Sequence, residues 1–273
     1  MTARVRVRFL GTGGAANEAR TQACLLVEWG DAADGRRVLL DTGSGMDVVR
    51  QLTAAGSPPT LVQDIFVSHQ HVDHVGGLEP LLLWSAIRAF RDRGGPPEAE
   101  THVYAEPRIL GVVQRVFEAV ATAAPRLYDG RLRWTPLEDR GWVPLSGGAR
   151  LRAFLVDHEP VGGGAMGCVV EAGGVRIAYT GDTRPTPRLV AAADGADLLV
   201  HEAGGLDAQA AEVHRLGHST AGDAARAARA AGVGRLVLTH VPSEAVADAM
   251  LAEARGLFAG PVQLARDLDV FEM

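Results

Sequence analysis

One short segment of the chain, SHQHVDH, restricts what the protein can be more than any other feature. It places three histidines and an aspartate within six residues. His69 and His71 stand two apart, so in an extended backbone both side chains point to the same side. Asp73 and His74 follow where the chain turns toward a helix. Imidazole and carboxylate ligands without cysteine suit zinc, and also iron or manganese. The spacing favours a metal site over a solvated, histidine-rich loop.

Further candidate ligands each come one or two residues after an apolar stretch with the pattern of a buried strand. Each alone has an ordinary explanation, such as a turn-forming aspartate or a hydrogen-bonded core histidine. In layered α/β folds, however, ligand-binding groups gather where strands end. The shared placement predicts that they converge on the early histidine loop. They are His158 after residues 151–156, Asp182 after residues 175–180 and His240 after residues 235–239.

Strand and helix patterns alternate in two successive halves of the chain. Residues 5–10 alternate arginine with apolar residues, which is the period of a half-buried strand. Helical spacing marks residues 78–90 and 108–121 in the first half, and residues 220–231 in the second. The region 125–148 shows no regular pattern. The alternation predicts one layered α/β domain over the whole chain, with sheet in the middle and helices outside.

Composition excludes some function classes. The formal net charge is −6, and no run of five or more basic residues appears, which argues against a general nucleic-acid surface. Cys24 and Cys168 are far apart and form no CxxC motif, so a disulfide framework is not expected and a reducing compartment fits. The N-terminus lacks an apolar signal segment, and no apolar stretch is long enough to span a membrane. We therefore expect a cytoplasmic protein without a membrane partner.

Taken together, these motifs resemble the metallo-β-lactamase superfamily of hydrolases. The resemblance covers most of the chain and keeps the order of the motifs. It implies an α/β fold built as a four-layer αββα sandwich, in a single domain over residues 1–273. The matching positions are the Asp41 turn, the loop from His69 to His74, His158, Asp182 and His240.

Within that superfamily the chain looks most like the ribonuclease Z and arylsulfatase-like group. The opening FLGTG at residues 9–13 resembles the first strand and turn of that group. The HEA segment at residues 201–203 resembles a second motif. The GHST segment at residues 217–220, followed by an alanine-rich helix and LTH, resembles the closing motif.

The resemblance implies roles for individual side chains. Two divalent metal ions are expected, with Zn²⁺ first and Mn²⁺ or iron as alternatives. Asp41 would orient a ligand histidine. Asp73, Glu202 and His218 are the expected catalytic residues, with His218 as proton donor held by Glu202; a tethering pair without catalytic role is the alternative. The implied ligands are His69, His71 and His158 for one ion, Asp73, His74 and His240 for the other, and Asp182 as the bridge.

This reasoning predicts a metal-dependent hydrolase in which a hydroxide shared by two ions is the nucleophile. A small phosphodiester is the expected substrate. Alternatives are an ester, thioester, lactone or aryl sulfate on the same core, or a metal-binding scaffold without activity, because the core alone does not determine the bond. His102, His201 and His214 are assigned structural roles.

Two further expectations concern partners. Ribonuclease Z carries a long arm for tRNA between the counterparts of His158 and Asp182, whereas only 23 residues separate them here. With the acidic net charge, this predicts that tRNA is an unlikely partner. The resemblance also suggests a homodimer. Substrate choice is expected to lie in residues 91–148, whose aromatic residues could line a pocket or pack in the core. These are Tyr128, Trp134 and Trp142.

Overall fold

A computed structural model describes residues 5–30, 35–139, 141–158 and 164–273, with side chains described throughout except at positions 124 and 125. Within these residues the strands form two seven-stranded sheets. The first sheet has the order β14-β1-β2-β3-β4-β5-β6. Its strands are β1 (Val5–Gly11), β2 (Cys24–Trp29), β3 (Arg36–Leu40), β4 (Asp64–Phe66), β5 (Thr101–Ala105), β6 (Leu132–Pro136) and β14 (Val270–Glu272).

The second sheet repeats the plan of the first. In each sheet an antiparallel meander of neighbouring strands is followed by strands that pair in parallel, from β3 to β6 and from β10 to β13. The sheet has the order β13-β12-β11-β10-β9-β8-β7. Its strands are β7 (Trp142–Pro144), β8 (Arg150–Leu155), β9 (Met166–Ala172), β10 (Val175–Tyr179), β11 (Leu198–Glu202), β12 (Leu236–Thr239) and β13 (Val262–Leu264).

The helices connect the parallel strands, since a parallel pair needs a long crossover. Several begin at side-chain caps: Glu106 accepts from the backbone at the start of α4, Thr220 caps α8 and Ser243 caps α9. No helix among the described residues combines the length and apolar character needed to cross a membrane. The helices are α1 (Asp47–Ala54), α2 (Val72–Val75), α3 (Leu78–Arg93), α4 (Pro107–Val120), α5 (Ala124–Tyr128), α6 (Pro187–Ala192), α7 (Ala210–Arg215), α8 (Ala221–Ala230) and α9 (Glu244–Leu257).

Apolar side chains pack in three layers. Alternate residues such as Val27 and Val170 fill the space between the two sheets. Leu26 points the other way, into the layer that the first sheet shares with α1, α3 and α4. Val169 likewise packs against the helices α6, α8 and α9 behind the second sheet. Because strands in the middle are covered on both faces, they read as continuous apolar runs. The predicted αββα sandwich is confirmed.

The prediction that residues 125–148 are irregular is wrong, because two strands lie there. Trp134 belongs to β6 and Trp142 to β7, which are the outer strands of the two sheets. Both strands end in a proline, Pro136 and Pro144. Proline donates no hydrogen bond to a sheet and is found on edge strands. Because these two strands are partly exposed and contain proline, their sequences do not show the alternation of apolar and polar residues that indicates a strand.

Two loops at the ends of β3 and β4 are joined by backbone hydrogen bonds. The Thr42 amide donates to the His74 carbonyl at 2.7 Å, and the Gly77 amide donates to the Gly43 carbonyl at 2.9 Å. A side chain at position 77 would place its Cβ 2.1 Å from the Thr42 carbonyl oxygen. Glycine at this position therefore lets the histidine loop pack against the end of β3.

The Gly77→Ala variant should consequently lose about 1–3 kcal/mol of unfolding free energy, because backbone must move to admit the methyl group. The control is Gly95→Ala, where an added Cβ meets nothing within 4 Å. That variant should stay within about 0.5 kcal/mol of the parent. Urea denaturation of the three proteins measures both values. If all three proteins were equally stable, the loop would accommodate the methyl group at position 77, which the structure contradicts.

Candidate metal centre

The histidine loop continues directly from β4. His71 is extended, and the single turn of α2 then carries Asp73 and His74. Side chains from the extended part and from the helical part of the loop can reach the same volume, because the backbone changes conformation between His71 and Asp73. His69, Asp73 and His74 are buried, whereas His71 is exposed.

The remaining candidate ligands arrive from the second sheet. His158 follows β8, Asp182 follows β10 and His240 follows β12. Asp182 and His240 come from the carboxyl ends of strands that run parallel to β11, so these two side chains reach the same edge. The structure brings together all of the residues that the sequence pointed to, in two groups whose ligand atoms lie within 4.8 Å of one another. The groups are His69, His71, His158 and Asp182, and Asp73, His74, Asp182 and His240.

Asp182 belongs to both groups. Its Oδ2 lies 3.8 Å from His69 Nε2 and 3.9 Å from His158 Nε2. The same oxygen lies 3.3 Å from His74 Nε2 and 3.4 Å from His240 Nε2. One carboxylate thus faces imidazoles from both sheets, which is the arrangement that a bridging ligand requires.

Buried polar atoms at this point have no hydrogen-bond partner among the described residues. They are His69 Nε2, His74 Nε2 and Asp182 Oδ1. Unpaired buried polar atoms are rare because they lose their hydration without compensation. Imidazole nitrogens and a carboxylate oxygen facing one small volume are the donor set of a zinc-type cation. The residues present therefore fit a metal centre.

The other ring nitrogen of several histidines is held by a hydrogen bond. His74 Nδ1 donates to Asp41 Oδ2 at 2.8 Å, and His158 Nδ1 donates to the Gly217 carbonyl at 2.8 Å. His69 Nδ1 lies 3.0 Å from Ser68 Oγ. Each contact turns Nε2 toward the centre and places the ring proton on Nδ1. Such outer contacts orient metal ligands and increase their basicity.

Asp41 organises this outer layer. Its carboxylate accepts hydrogen bonds from the Ser68 amide, the Ser68 hydroxyl and the Tyr179 hydroxyl, each at 2.7 Å, besides the one from His74. Since the Ser68 hydroxyl gives its proton to Asp41, it can accept from His69. Asp41 was expected here from the resemblance, whereas Ser68 and Tyr179 were not predicted. No local pattern marks Tyr179, which comes from β10 in the other sheet.

Burial and charge set the ionisation of the cluster. Burial lowers the pKa of His69 and of His158, which favours the neutral imidazole that binds metal. Burial alone would raise the pKa of Asp182, but the imidazoles of His240 and His74 outweigh it and hold the pKa well below the usual range. Burial also opposes a charge on His74, yet the carboxylates of Asp182 and Asp41 raise its pKa. A proton and a metal ion therefore compete for His74 Nε2.

His218 and Glu202 stand beside this cluster. His218 Nδ1 lies 3.1 Å from Glu202 Oε1, which also accepts from the amides of Thr183 at 2.9 Å and Ser219 at 3.1 Å. The ring of His218 stacks on that of His240 with centroids 5.3 Å apart. The rings of both histidines line a cavity of about 270 Å³ that opens over the candidate ligands.

The aromatic residues of segment 91–148 lie elsewhere. The Tyr128 hydroxyl donates to a backbone carbonyl of α3, and its ring is buried. Trp134 packs on Phe117, with ring centroids 5.6 Å apart. Trp142 packs under the guanidinium of Arg150 at 4.1 Å. Packing, rather than pocket lining, is the role that the structure gives all of them.

A model of the beta-lactamase superfamily domain matches residues 36–241, a range that includes every candidate ligand. The chain belongs to the metallo-β-lactamase superfamily. A relative from Haloferax volcanii named Ribonuclease Z is 33% identical, over 96% of this chain and 93% of its own. With this family and this relative, the prediction of a metal-dependent hydrolase is confirmed.

Solved structures repeat the fold over nearly the full length. The metallo-β-lactamase fold protein YhfI from Bacillus subtilis has a TM-score of 0.80 at 23% identity, covering 99% of this chain and 100% of that one. The short form of human tRNase Z has a TM-score of 0.74 at 24% identity, covering 97% and 98%. At these identities the likeness establishes the fold alone.

The prediction that tRNA is an unlikely partner is wrong. The Haloferax relative matches this chain almost from end to end and is named Ribonuclease Z, and so is a relative from Halorubrum lacusprofundi that is 32% identical over 98% of this chain. The expectation of a small substrate is not confirmed. A net charge of −6 counts the whole surface, whereas a phosphate group at the site responds to the local field. The segment between His158 and Asp182 is short, but the ligand cluster contains all seven candidate residues.

Arg184 was not singled out from the sequence, yet it ties two segments of the site together. Its Nε donates to the His214 carbonyl at 2.6 Å, and its Nη1 donates to the His158 carbonyl at 3.1 Å. His158 in turn bonds Gly217 next to His218. One guanidinium thereby links the backbone of a candidate ligand to the loop that carries the candidate acid.

We expect Arg184→Ala to lower turnover of bis(p-nitrophenyl) phosphate by roughly 10- to 100-fold, as is usual when an outer contact of a metal site is lost. Arg184→Lys should recover part of the loss, because an ammonium can reach one carbonyl but not both. Arg188→Ala, an exposed arginine at the start of α6, is the control. An Arg184→Ala enzyme as active as the control would show that the Arg184 guanidinium does not contribute to turnover.

Proposed function

We propose that this protein is a ribonuclease Z-like nuclease that hydrolyses a phosphodiester bond of RNA, with tRNA as the substrate class. The observation that carries the proposal is the shared carboxylate of Asp182, which faces histidines from both sheets. The names of the full-length relatives supply the substrate class.

In this proposal two divalent ions are held, one by each ligand group, with Asp182 shared between them. Zinc is the first choice because the donors are imidazole and carboxylate groups that face a compact, buried volume. Such a pair of ions supplies an acidified water and neutralises charge on a phosphoryl oxygen. The ion pair also gives the site the positive charge that a polyanionic substrate requires, whatever the net charge of the surface.

The chain's own residues provide the proton for the leaving oxygen. Burial would lower the pKa of His218, but the carboxylate of Glu202 outweighs it and raises the pKa to about 9. The ring therefore keeps its proton near neutral pH. Nδ1 is engaged by Glu202, and the ring lines the cavity above the candidate ligands. His218 is proposed as the general acid and Glu202 as the residue that orients it and maintains its charge.

Metal analysis of purified variants tests the two-ion assignment. The parent chain should hold about two zinc ions, and His158→Ala and His240→Ala should each hold about one, since each removes a ligand of a different group. Asp182→Ala should lose most of both. His102→Ala, a partly exposed histidine on β5, is the control and should match the parent. A parent with one ion, unaffected by His240→Ala, contradicts the assignment.

The acid role of His218 is tested by the leaving group. The ribose oxygen of RNA needs a proton to depart, whereas p-nitrophenolate departs without one. His218→Ala should therefore reduce RNA cleavage by roughly 100-fold or more, and cleavage of bis(p-nitrophenyl) phosphate by a much smaller factor. Glu202→Gln should show the same selectivity with a smaller loss. Equal losses on both substrates, at full metal content, would indicate a tethering pair instead.

The bond class is decided by a substrate panel with metal-replete enzyme. A tRNA carrying extra 3′ nucleotides should be cleaved, and bis(p-nitrophenyl) phosphate should be hydrolysed more slowly. An aryl ester, a thioester, a lactone and an aryl sulfate cover the alternative bonds. Turnover of one of these without any RNA cleavage would overturn the nuclease assignment while keeping the hydrolase. No turnover at all would favour a scaffold.

A further inference from the structure

A second cavity lies behind β11, on the opposite side of this strand from the metal centre. Successive side chains of a strand point to opposite faces. Glu202 reaches toward Thr183 and His218, whereas His201 faces the helix layer. The cavity there has a volume of about 740 Å³, and α6 and α8 provide much of its lining. It shares no lining residue with the cavity over the metal centre.

The walls of this cavity are largely apolar. Pro185 and Pro187 line it where the chain enters α6, and Val190 lines it from α6 itself. Ala227 and Ala230 face them from α8. The side chains of Ala227 and Ala230 are small and leave this space open. Larger side chains at these two positions would fill it. An open cleft with such walls suits a compact apolar body.

His201 offers a hydrogen-bond acceptor on the lining. It is only 1% exposed, and its Nδ1 donates to the Glu202 carbonyl at 2.7 Å. No hydrogen bond to Nε2 is formed within the described part of the chain. Burial lowers the pKa of His201, so the ring is neutral. With the proton on Nδ1, the second nitrogen carries a lone pair, and a ligand that donates a hydrogen bond can satisfy it.

The charges around the cavity favour a cation. The Arg226 guanidinium also lines it, but this group is bonded to the carboxylates of Asp207 and Asp223. Asp223 additionally accepts from His214. Asp194 on the lining is exposed, and its carboxylate has no ion pair among the described residues. Arg176 approaches only the backbone carbonyl of Asp194, while pairing with Glu171. Carboxylates thus outnumber the guanidinium at this cavity.

We propose that this cavity is a binding site for a small molecule with an apolar body and a protonated amine. The ammonium would lie near Asp194, donate a hydrogen bond toward His201, or both, while the apolar body packs between Val190 and Ala227. The site is separate from the proposed nuclease reaction, so the two proposals stand or fall independently. Its position directly behind Glu202 places a bound molecule one residue from the group that holds His218.

Benzylamine is a suitable probe, with benzyl alcohol and benzoate of similar size as matched ligands. We would titrate each into ¹⁵N-labelled, metal-replete protein and follow the backbone amide signals by NMR. Benzylamine should shift the signals of Val190, His201 and Ala227 saturably, with a Kd on the order of millimolar for so small a ligand. Benzyl alcohol should bind roughly fivefold more weakly, because it lacks the charge, and benzoate should not bind.

Variants separate this cavity from other amine sites. Asp194→Asn removes the free carboxylate and should weaken benzylamine binding several-fold, whereas Asp248→Asn, an exposed aspartate on α9, should leave it unchanged. Ala227→Phe should abolish the shifts by filling the cavity. Equal affinity for the three probes, shifts confined to residues around His240, or unchanged binding in Asp194→Asn would each overturn the proposal. Because Asp194 is exposed, its variant is expected to fold even if Ala227→Phe does not.

Discussion

The buried carboxylate of Asp182, enclosed by imidazoles, is the constraint around which the rest of this structure is organised. Polar groups at such density lose their hydration on folding and need a compensating interaction. The Asp182 oxygens and the histidine nitrogens face one another without forming ordinary hydrogen bonds at most of the positions. A cation bound by these residues would supply the compensation. Because the histidine loop follows the first sheet and Asp182 follows the second, ion binding would also hold the two sheets together.

The outer layer shows the same bridging between sheets. Asp41 directly follows β3, and the Tyr179 hydroxyl that reaches it comes from β10. Asp41 and His240 also share an unusual backbone conformation, with φ of 58° at both positions. Left-handed backbone in a residue other than glycine is costly and collects at functional sites. Asp41 sits directly after β3 in the first sheet and His240 directly after β12 in the second, and each strand pairs in parallel with a neighbour. Each sheet thus delivers one strained, inward-pointing polar residue.

The sequence was sufficient for the features whose signal is local. The alternation of strand and helix patterns predicted a layered α/β fold, and the resemblance to the superfamily implied the αββα sandwich. The density of SHQHVDH and the apolar stretches before His158, Asp182 and His240 predicted the residues that converge. Features that depend on contacts between residues distant in the sequence were not predicted. The strands β6 and β7 were missed because edge strands need not alternate. Ser68 and Arg184 were missed because their importance depends on partners distant in the chain. The partner prediction failed for a related reason, since net charge sums a whole surface and a catalytic site responds to a few ångströms of it.

Strand β11 connects the two sites that the structure presents. One face of the strand directs Glu202 to the loop amides and to His218, and the other directs His201 to the cavity behind it. Period-two alternation makes this division unavoidable, because consecutive residues cannot face the same side. In the loop before α6, Asp182 faces the centre and the Thr183 amide donates to Glu202, while Pro185 and Pro187 line the rear cavity. The backbone that positions the proposed acid is therefore also the wall of a second, chemically different site.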